Sequence, residues 1–181
     1  MISPNPPIPN AYWVLPGQLL AGAYPGAQDE AVARDKLEKL GNAGISYFLN
    51  LTEPTELKPY HPFLHPAIVH HRLSIPDFST PTPDHMTAIL DALDAALAQG
   101  HTVYLHCWGG IGRTGTVVGC YLVRHGWDAA AALAQIARWR QNTPDGHRPS
   151  PETEAQQQMV LHWQEKSDHL PARGFDVQQP G

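Results

Sequence analysis

The sequence predicts an α/β fold: a single domain with a central, mostly parallel sheet and helices on both faces. Two observations point there. Segments with strand-like and helix-like patterning alternate along the chain, which is the arrangement that places helices over a parallel sheet. In addition, "HTVYLHC" (101–107) leads through a glycine-rich turn directly into the apolar helix pattern "RTGTVVGCYLVRHG" (113–126), a strand–loop–helix unit.

The elements follow in order. The first ten residues hold four prolines, which block regular pairing and suggest an extended arm. In "YWVLPGQLLAGAYPG" two short strands are broken by the turn pair Pro16-Gly17. "AQDEAVARDKLEKLGNAG" has a helical pattern, with Ala31, Leu37 and Leu40 near one face and Gly41 as the expected stop. "ISYFLNLT" and "AIVHHRLSI" are β-branched and aromatic, as strands are. Next comes the clearest helix: Met86, Ile89, Leu90, Leu93 and Leu97 recur at helical spacing between an N-cap at Thr82 with Pro83 and a stop at Gly100. "HTVYLHC" reads as a strand of five to seven residues. Asp128 caps a further helix, and "SPETEAQQQMVLHW" starts the last one, with Ser150 as its expected N-cap. The expected organisation is an arm over 1–10, one domain over 11–168 and a tail over 169–181.

Composition narrows the function. Lys and Arg total 12 against 17 Asp and Glu, a net charge of −5, which argues against a nucleic-acid partner. No stretch approaches the 18 or more apolar residues of a membrane span, so no membrane insertion is expected. With two cysteines there is no disulfide framework, and "MISPNPPIPNAYW" has neither the basic nor the apolar part of a signal peptide, so the expected location is cytoplasmic.

The chemistry concentrates at "HCWGGIGRTG" (106–115). A loop that leaves a strand and enters a helix points backbone N–H groups and the positive end of the helix dipole into one concavity. Gly109, Gly110 and Gly112 allow the amides from Trp108 through Ile111 to Arg113 to converge on phosphate-sized oxygens. Arg113 adds a planar fork for two of those oxygens. Thiols at helix N-termini beside cations ionise more readily than free ones, so the cradle for phosphate also activates Cys107. The hydroxyl of Thr114 is placed to hydrogen-bond the sulfur and ease its departure, and His106 to orient the cysteine and its loop.

This stretch resembles the H-C-x-x-G-x-x-R-[ST]-G signature of the cysteine-dependent protein tyrosine and dual-specificity phosphatases, and its Gly-Gly-x-Gly form is most similar to the kinase-associated phosphatase group. The resemblance runs from about residue 12 to 165. It implies a dual-specificity phosphatase-like fold and a phosphocysteine intermediate followed by hydrolysis, with neither cofactor nor metal. Such enzymes take a proton donor from a loop roughly thirty residues before the cysteine. Asp77, thirty residues before Cys107 in "SIPDFSTPTPD", matches that loop, while Asp84 has a sufficient role as a first-turn carboxylate of the helix capped by Thr82. Phe78 beside it either covers the site or packs. In "SPETEAQ", Glu152 stands where larger tyrosine phosphatases carry the first glutamine of a water-positioning Q-T-x-x-Q element, with Thr153 and Gln156 retained.

Other features have plainer readings. Cys120 lies about 10 Å along the helix axis from Arg113, flanked by valine and leucine, and reads as a core cysteine. Eleven histidines invite a metal reading, but Pro62 and Pro66 spoil a helix through His61 and His65, and His70 and His71 point to opposite faces of a strand. Trp108 either stacks on an aryl phosphate or packs against the neighbouring loop. The expected function is hydrolysis of phosphotyrosine, and of phosphoserine or phosphothreonine, in a protein or peptide substrate, with inhibition by phosphate-like oxyanions. The alternatives are a phosphoinositide or inositol phosphate phosphatase and a phosphoprotein-binding pseudo-enzyme.

Overall fold

The computed structural model describes residues 5–165. Its strands are β1 (Ala11–Leu15), β2 (Leu19–Gly22), β3 (Tyr47–Asn50), β4 (Val69–Arg72) and β5 (Val103–His106). Its helices are α1 (Glu30–Asn42), α2 (Pro83–Ala98), α3 (Gly112–Arg124), α4 (Ala129–Arg140) and α5 (Glu154–Leu161), with a short 3-10 turn at His61–Phe63. The sheet order is β1-β2-β5-β3-β4. Among the described strands only the β1–β2 hairpin is antiparallel; β2–β5, β5–β3 and β3–β4 are parallel. The predicted mostly parallel α/β sheet is therefore the observed one.

Strands buried on both faces read as continuous apolar runs, and alternate residues go to opposite cores. Leu19, Ala21, Leu49, Val103 and Leu105 face a large core shared with α2, α3, α4 and α5. Leu20, Phe48 and Tyr104 face a smaller one, closed by Leu37 and Leu40 of α1 and by Tyr60. Continuing the alternation past the end of β5, Cys107 faces the large core. Ile8 of the proline-rich arm is buried in the smaller core, so that part of the arm lies on the domain. Residues 1–4, the boundary at 168 and the tail fall outside the described residues.

Several boundaries differ from expectation. The buried face of α1 is Ala33, Leu37 and Leu40, with Ala31 exposed. The helix runs through Gly41, and the stop is Gly44, whose φ of 87° is the left-handed geometry that a glycine adopts without strain. Here the Ile45 amide donates back to Leu40 and the Gly44 amide to Gly41, satisfying the last carbonyls. β5 has four residues, because past His106 the chain curls away and Trp108 offers its carbonyl to the Tyr24 amide at 2.7 Å. α5 begins three residues late: Thr153 is its N-cap, in a reciprocal capping box with Gln156. The Ser150 hydroxyl donates instead to the Ile111 carbonyl at 2.7 Å. Thr82 and Asp128 cap α2 and α4 as expected. Among the described residues no helix is long and apolar enough to cross a membrane.

Candidate active site

The parallel strands β3, β4 and β5 all end on the same side of the sheet, and the loops that follow them meet there. β5 supplies the loop 107–111, β3 the segment carrying Glu56, and β4 the segment carrying Asp77. Asp77, Phe78, Cys107, Trp108, Gly109, Ile111, Gly112, Arg113, Asp145, Arg148 and Glu152 line one cleft of about 370 Å³.

The phosphate-loop candidate has its amides available. Among the described helices, α1, α2, α4 and α5 each have a side-chain N-cap, at Asp29, Thr82, Asp128 and Thr153. α3, which opens at this loop, has no side-chain cap at Ile111, leaving its first N–H groups for whatever occupies the cleft. Gly110 has a φ of 70°, and a Cβ there would come within 2.4 Å of the Gly22 backbone carbon, so the loop presses on the end of β2 only because Gly110 has no side chain.

Beneath the loop, His106 is fully buried and contributes nothing to the cleft lining. This departs from its expected place among the substrate contacts. The Tyr60 hydroxyl donates to His106 Nε2 at 2.6 Å, and His106 Nδ1–H donates to the Cys107 carbonyl at 3.1 Å. A carbonyl can only accept, which fixes the proton on Nδ1. Burial pushes the imidazole pKa down to about 3, so the ring is neutral and holds the backbone at Cys107 by a hydrogen bond alone. Gly110 lies against β2 and is likewise absent from the lining.

Arg113 is nearly inaccessible, its side chain 1% exposed. Its Nη1 and Nη2 donate to the two carboxylate oxygens of Glu56 at 2.8 and 2.6 Å, Nη1 also to the Ile75 carbonyl at 3.0 Å, and Nη2 pairs with Asp77 Oδ1 at 2.9 Å. Burial on its own would lower the guanidinium pKa, but the Glu56 hydrogen bonds and the charges of Cys107, Glu56 and Asp77 outweigh it and raise it. Burial likewise works against ionised Glu56, and the hydrogen bonds from Arg113 reverse it, so the carboxyl lies below its ordinary value. Nε of Arg113 is buried with no partner, a donor left over on the fork. Thr114 is fully buried and its hydroxyl has no hydrogen-bond partner, so the expected bond to the sulfur is not formed in this geometry.

Asp77 reaches the cleft through Arg113, whereas Asp84 sits in the first turn of α2 and takes no part in the lining. Phe78 and Trp108 stand at the cleft with 60% and 57% of their surface exposed. Gln156 is fully buried and does not line the cleft; Glu152 does, ion-paired to Arg148. Cys120 is buried, its thiol pKa raised by desolvation, and both cysteines are free. Among the described residues, no three His, Cys, Asp or Glu side chains cluster so as to hold a metal.

Sequence reasoning missed Glu56, Tyr60, Asp145 and Arg148. Glu56 and Tyr60 lie 57 and 46 residues from their partners, and no local pattern marks them. Arg148 and Asp145 arrive on the loop between α4 and α5, where the buried guanidinium of Arg140 donates to the carbonyls of both.

Known phosphatases resemble this chain in sequence and in fold. The chain is 30% identical to the mouse dual specificity protein phosphatase CDC14B over 124 residues, covering 62% of this chain and 24% of that protein. It is 33% identical to the phosphatidylglycerophosphate phosphatase PTPMT2 of Arabidopsis thaliana over 129 residues, covering 66% of this chain and 50% of that one. The chain thus spans between a quarter and a half of these relatives. Among solved structures, the active form of Tk-PTP superposes with a TM-score of 0.67 at 25% identity, covering 84% of this chain and 94% of that one. Residues 22–127 match the family described as "Polymorphic toxin system, DSP-PTPase phosphatase". Since that match takes in more than half of the chain, with Asp77 and the whole 106–115 loop inside it, the chain belongs to the DSP-PTPase phosphatases of polymorphic toxin systems.

Proposed function

We propose that this phosphatase hydrolyses phosphotyrosine, and phosphoserine or phosphothreonine, in protein or peptide substrates through a phosphocysteine intermediate. The observation that carries the reading is the convergence of Cys107, Arg113 and Asp77 on one cleft at the uncapped N-terminus of α3. Cys107 Sγ attacks phosphorus in line, and the S–P bond forms as the ester P–O bond breaks. The loop amides and Arg113 hold the equatorial oxygens. Asp77 gives its proton to the departing oxygen, then takes one from the water that attacks the phosphocysteine, so that inorganic phosphate leaves and the thiolate returns. In that second step the sulfur departs, and the unpartnered Thr114 hydroxyl is the donor we assign to it. Phe78 and Trp108 at the cleft favour an aryl ester. Phosphate-like oxyanions are expected to inhibit by occupying the same cradle.

A lipid phosphate is the second reading, favoured by the likeness to the Arabidopsis enzyme. Against it, the lining adds Asp145 and Glu152 to the site but only one cation beyond Arg113, the already paired Arg148. A polyanionic headgroup calls for more positive charge than that. The test is phosphate release from phosphotyrosyl, phosphoseryl and phosphothreonyl peptides, phosphoinositides and phosphatidylglycerophosphate, with Cys107→Ser and Asp77→Ala as controls. Cys107→Ser is expected to be inactive and Asp77→Ala to lose about a hundredfold or more in kcat on peptides. Full turnover by Cys107→Ser overturns the mechanism, and peptide binding without release makes the protein a phosphopeptide-binding module.

A further inference from the structure

We infer that Gln156 is a positioning residue for the loop that carries Asp77, setting the carboxyl where it meets the leaving group; this rests on the reading of Asp77 as the acid. The loop from Ile75 to Ser79 is pinned at both ends, and Asp77 hangs midway between the pins. At the first pin, the Ile75 amide donates to the Leu51 carbonyl at 2.9 Å and its carbonyl accepts from Arg113 Nη1 at 3.0 Å. At the second, Ser79 closes a tight turn, its amide and hydroxyl both donating to the Pro76 carbonyl at 3.1 and 2.7 Å. The Ser79 carbonyl then accepts from Gln156 Nε2 at 3.1 Å, across 77 residues of chain.

Gln156 is suited to that task and to little else. Its Oε1 accepts from the Glu152 and Thr153 amides, both at 3.1 Å, which anchors the carboxamide to the start of α5. The same carboxamide lies against Gly112, where a Cβ would come within 2.9 Å of Oε1. One fully buried side chain therefore touches the phosphate-loop helix and the acid loop together. A helix cap needs only the oxygen; the nitrogen's reach to Ser79 is the additional contact. The loop has reason to need holding, because Phe78 sits at a φ of 58°, a conformation that a bulky residue avoids when free to relax.

The test uses the whole chain and two esters that differ only in their need for a proton, phenyl phosphate and 2,4-dinitrophenyl phosphate. Gln156→Glu keeps an acceptor for the two amides and, when ionised, has no proton to donate to Ser79. Gln156→Met, neutral and of equal length, serves if a buried carboxylate unfolds α5. A positioning role predicts that kcat/KM on phenyl phosphate falls by roughly thirtyfold or more, within the share a general acid supplies. The dinitrophenyl ester falls by about threefold at most, and the basic limb of the pH profile on phenyl phosphate flattens. In an Asp77→Ala background, neither Gln156 variant causes a further loss on phenyl phosphate.

Equal losses on both esters overturn the inference, as does a burst of phenol followed by slow turnover, which would place Gln156 in the hydrolysis step. If Asp77→Ala separates the two esters and the Gln156 variants do not, only this inference fails. If Asp77→Ala slows both esters alike, the assignment of Asp77 as the acid fails, and this inference with it.

Discussion

Arg113 carries a full charge where water barely reaches, and Glu56, itself 13% exposed, is what makes that tolerable. Glu56→Ala removes the more buried of the two carboxylates on this cation and leaves Asp77 and the Ile75 carbonyl, so it should lower unfolding free energy by at most about 3 kcal/mol in urea titration. Glu56→Gln, which still accepts a hydrogen bond, should lose less. The Cys107–Arg113 spacing was legible because it is local: a strand end, a turn and a helix start fall within ten residues. Asp77 was legible through the resemblance. Glu56 was not, since an acid in "NLTEPTELKP" looks like any loop carboxylate until the chain folds it 57 residues forward onto Arg113. Tyr60 was hidden for the same reason, and so was the placing of His106 beneath the loop, with both ring nitrogens engaged by Tyr60 and the Cys107 carbonyl.

At the level of elements, α3 and the segment 150–160 fit through small residues on successive turns. A Cβ on Gly115 would meet the Ser150 hydroxyl at 2.2 Å, and one on Gly119 would meet Val160 at 2.6 Å. The segment presses on the loop 107–111 because α3 has no side chains at those turns. This separates two hydroxyls that the sequence presents as similar helix-start signals. Thr153→Ala removes the cap of α5 and should cost about 0.5–2 kcal/mol in thermal or urea unfolding. Ser150→Ala leaves the cap intact but removes one of the two donors to the Ile111 carbonyl at the edge of the loop, the other being the Gly115 amide at 3.2 Å. Its loss should appear mainly as weakened inhibition by phosphate in steady-state assays. The start of α5 was misread because Ser-Pro-Glu is a good local cap sequence, and only the contact to Ile111 diverts Ser150 from that use. The stops at Gly100 and the caps at Thr82 and Asp128 were legible because each is settled within one helical turn.

For the molecule as a whole, burial of neutral His106 makes stability depend on pH. Its pKa is near 6.5 in the unfolded chain and about 3 when folded, so between those values the unfolded chain binds the extra proton. Stability is therefore full above about 6.5, declines by up to about 1.4 kcal/mol per pH unit as pH falls, and levels off for this group near 3. Half-buried His70, lowered by burial to about 4, acts in the same direction over a narrower range. His106→Asn should flatten that decline, measured as urea midpoints between pH 7 and 4. By itself the sequence determined the alternation of strands and helices, most helix ends, and the one loop where sulfur, glycines and arginine stand together. These rest on φ preferences, capping and apolar periodicity, which act over a few residues. Only the tertiary structure decided the strand order β1-β2-β5-β3-β4 and, with it, which distant side chains complete the site. Pairing β5 between β2 and β3 brings Tyr60, Glu56 and Asp77 to the end of one strand, and Gln156 reaches the loop that carries Asp77 from a helix that follows all of them. Contacts of that kind depend on how buried surfaces fit together, which no short stretch of chain encodes.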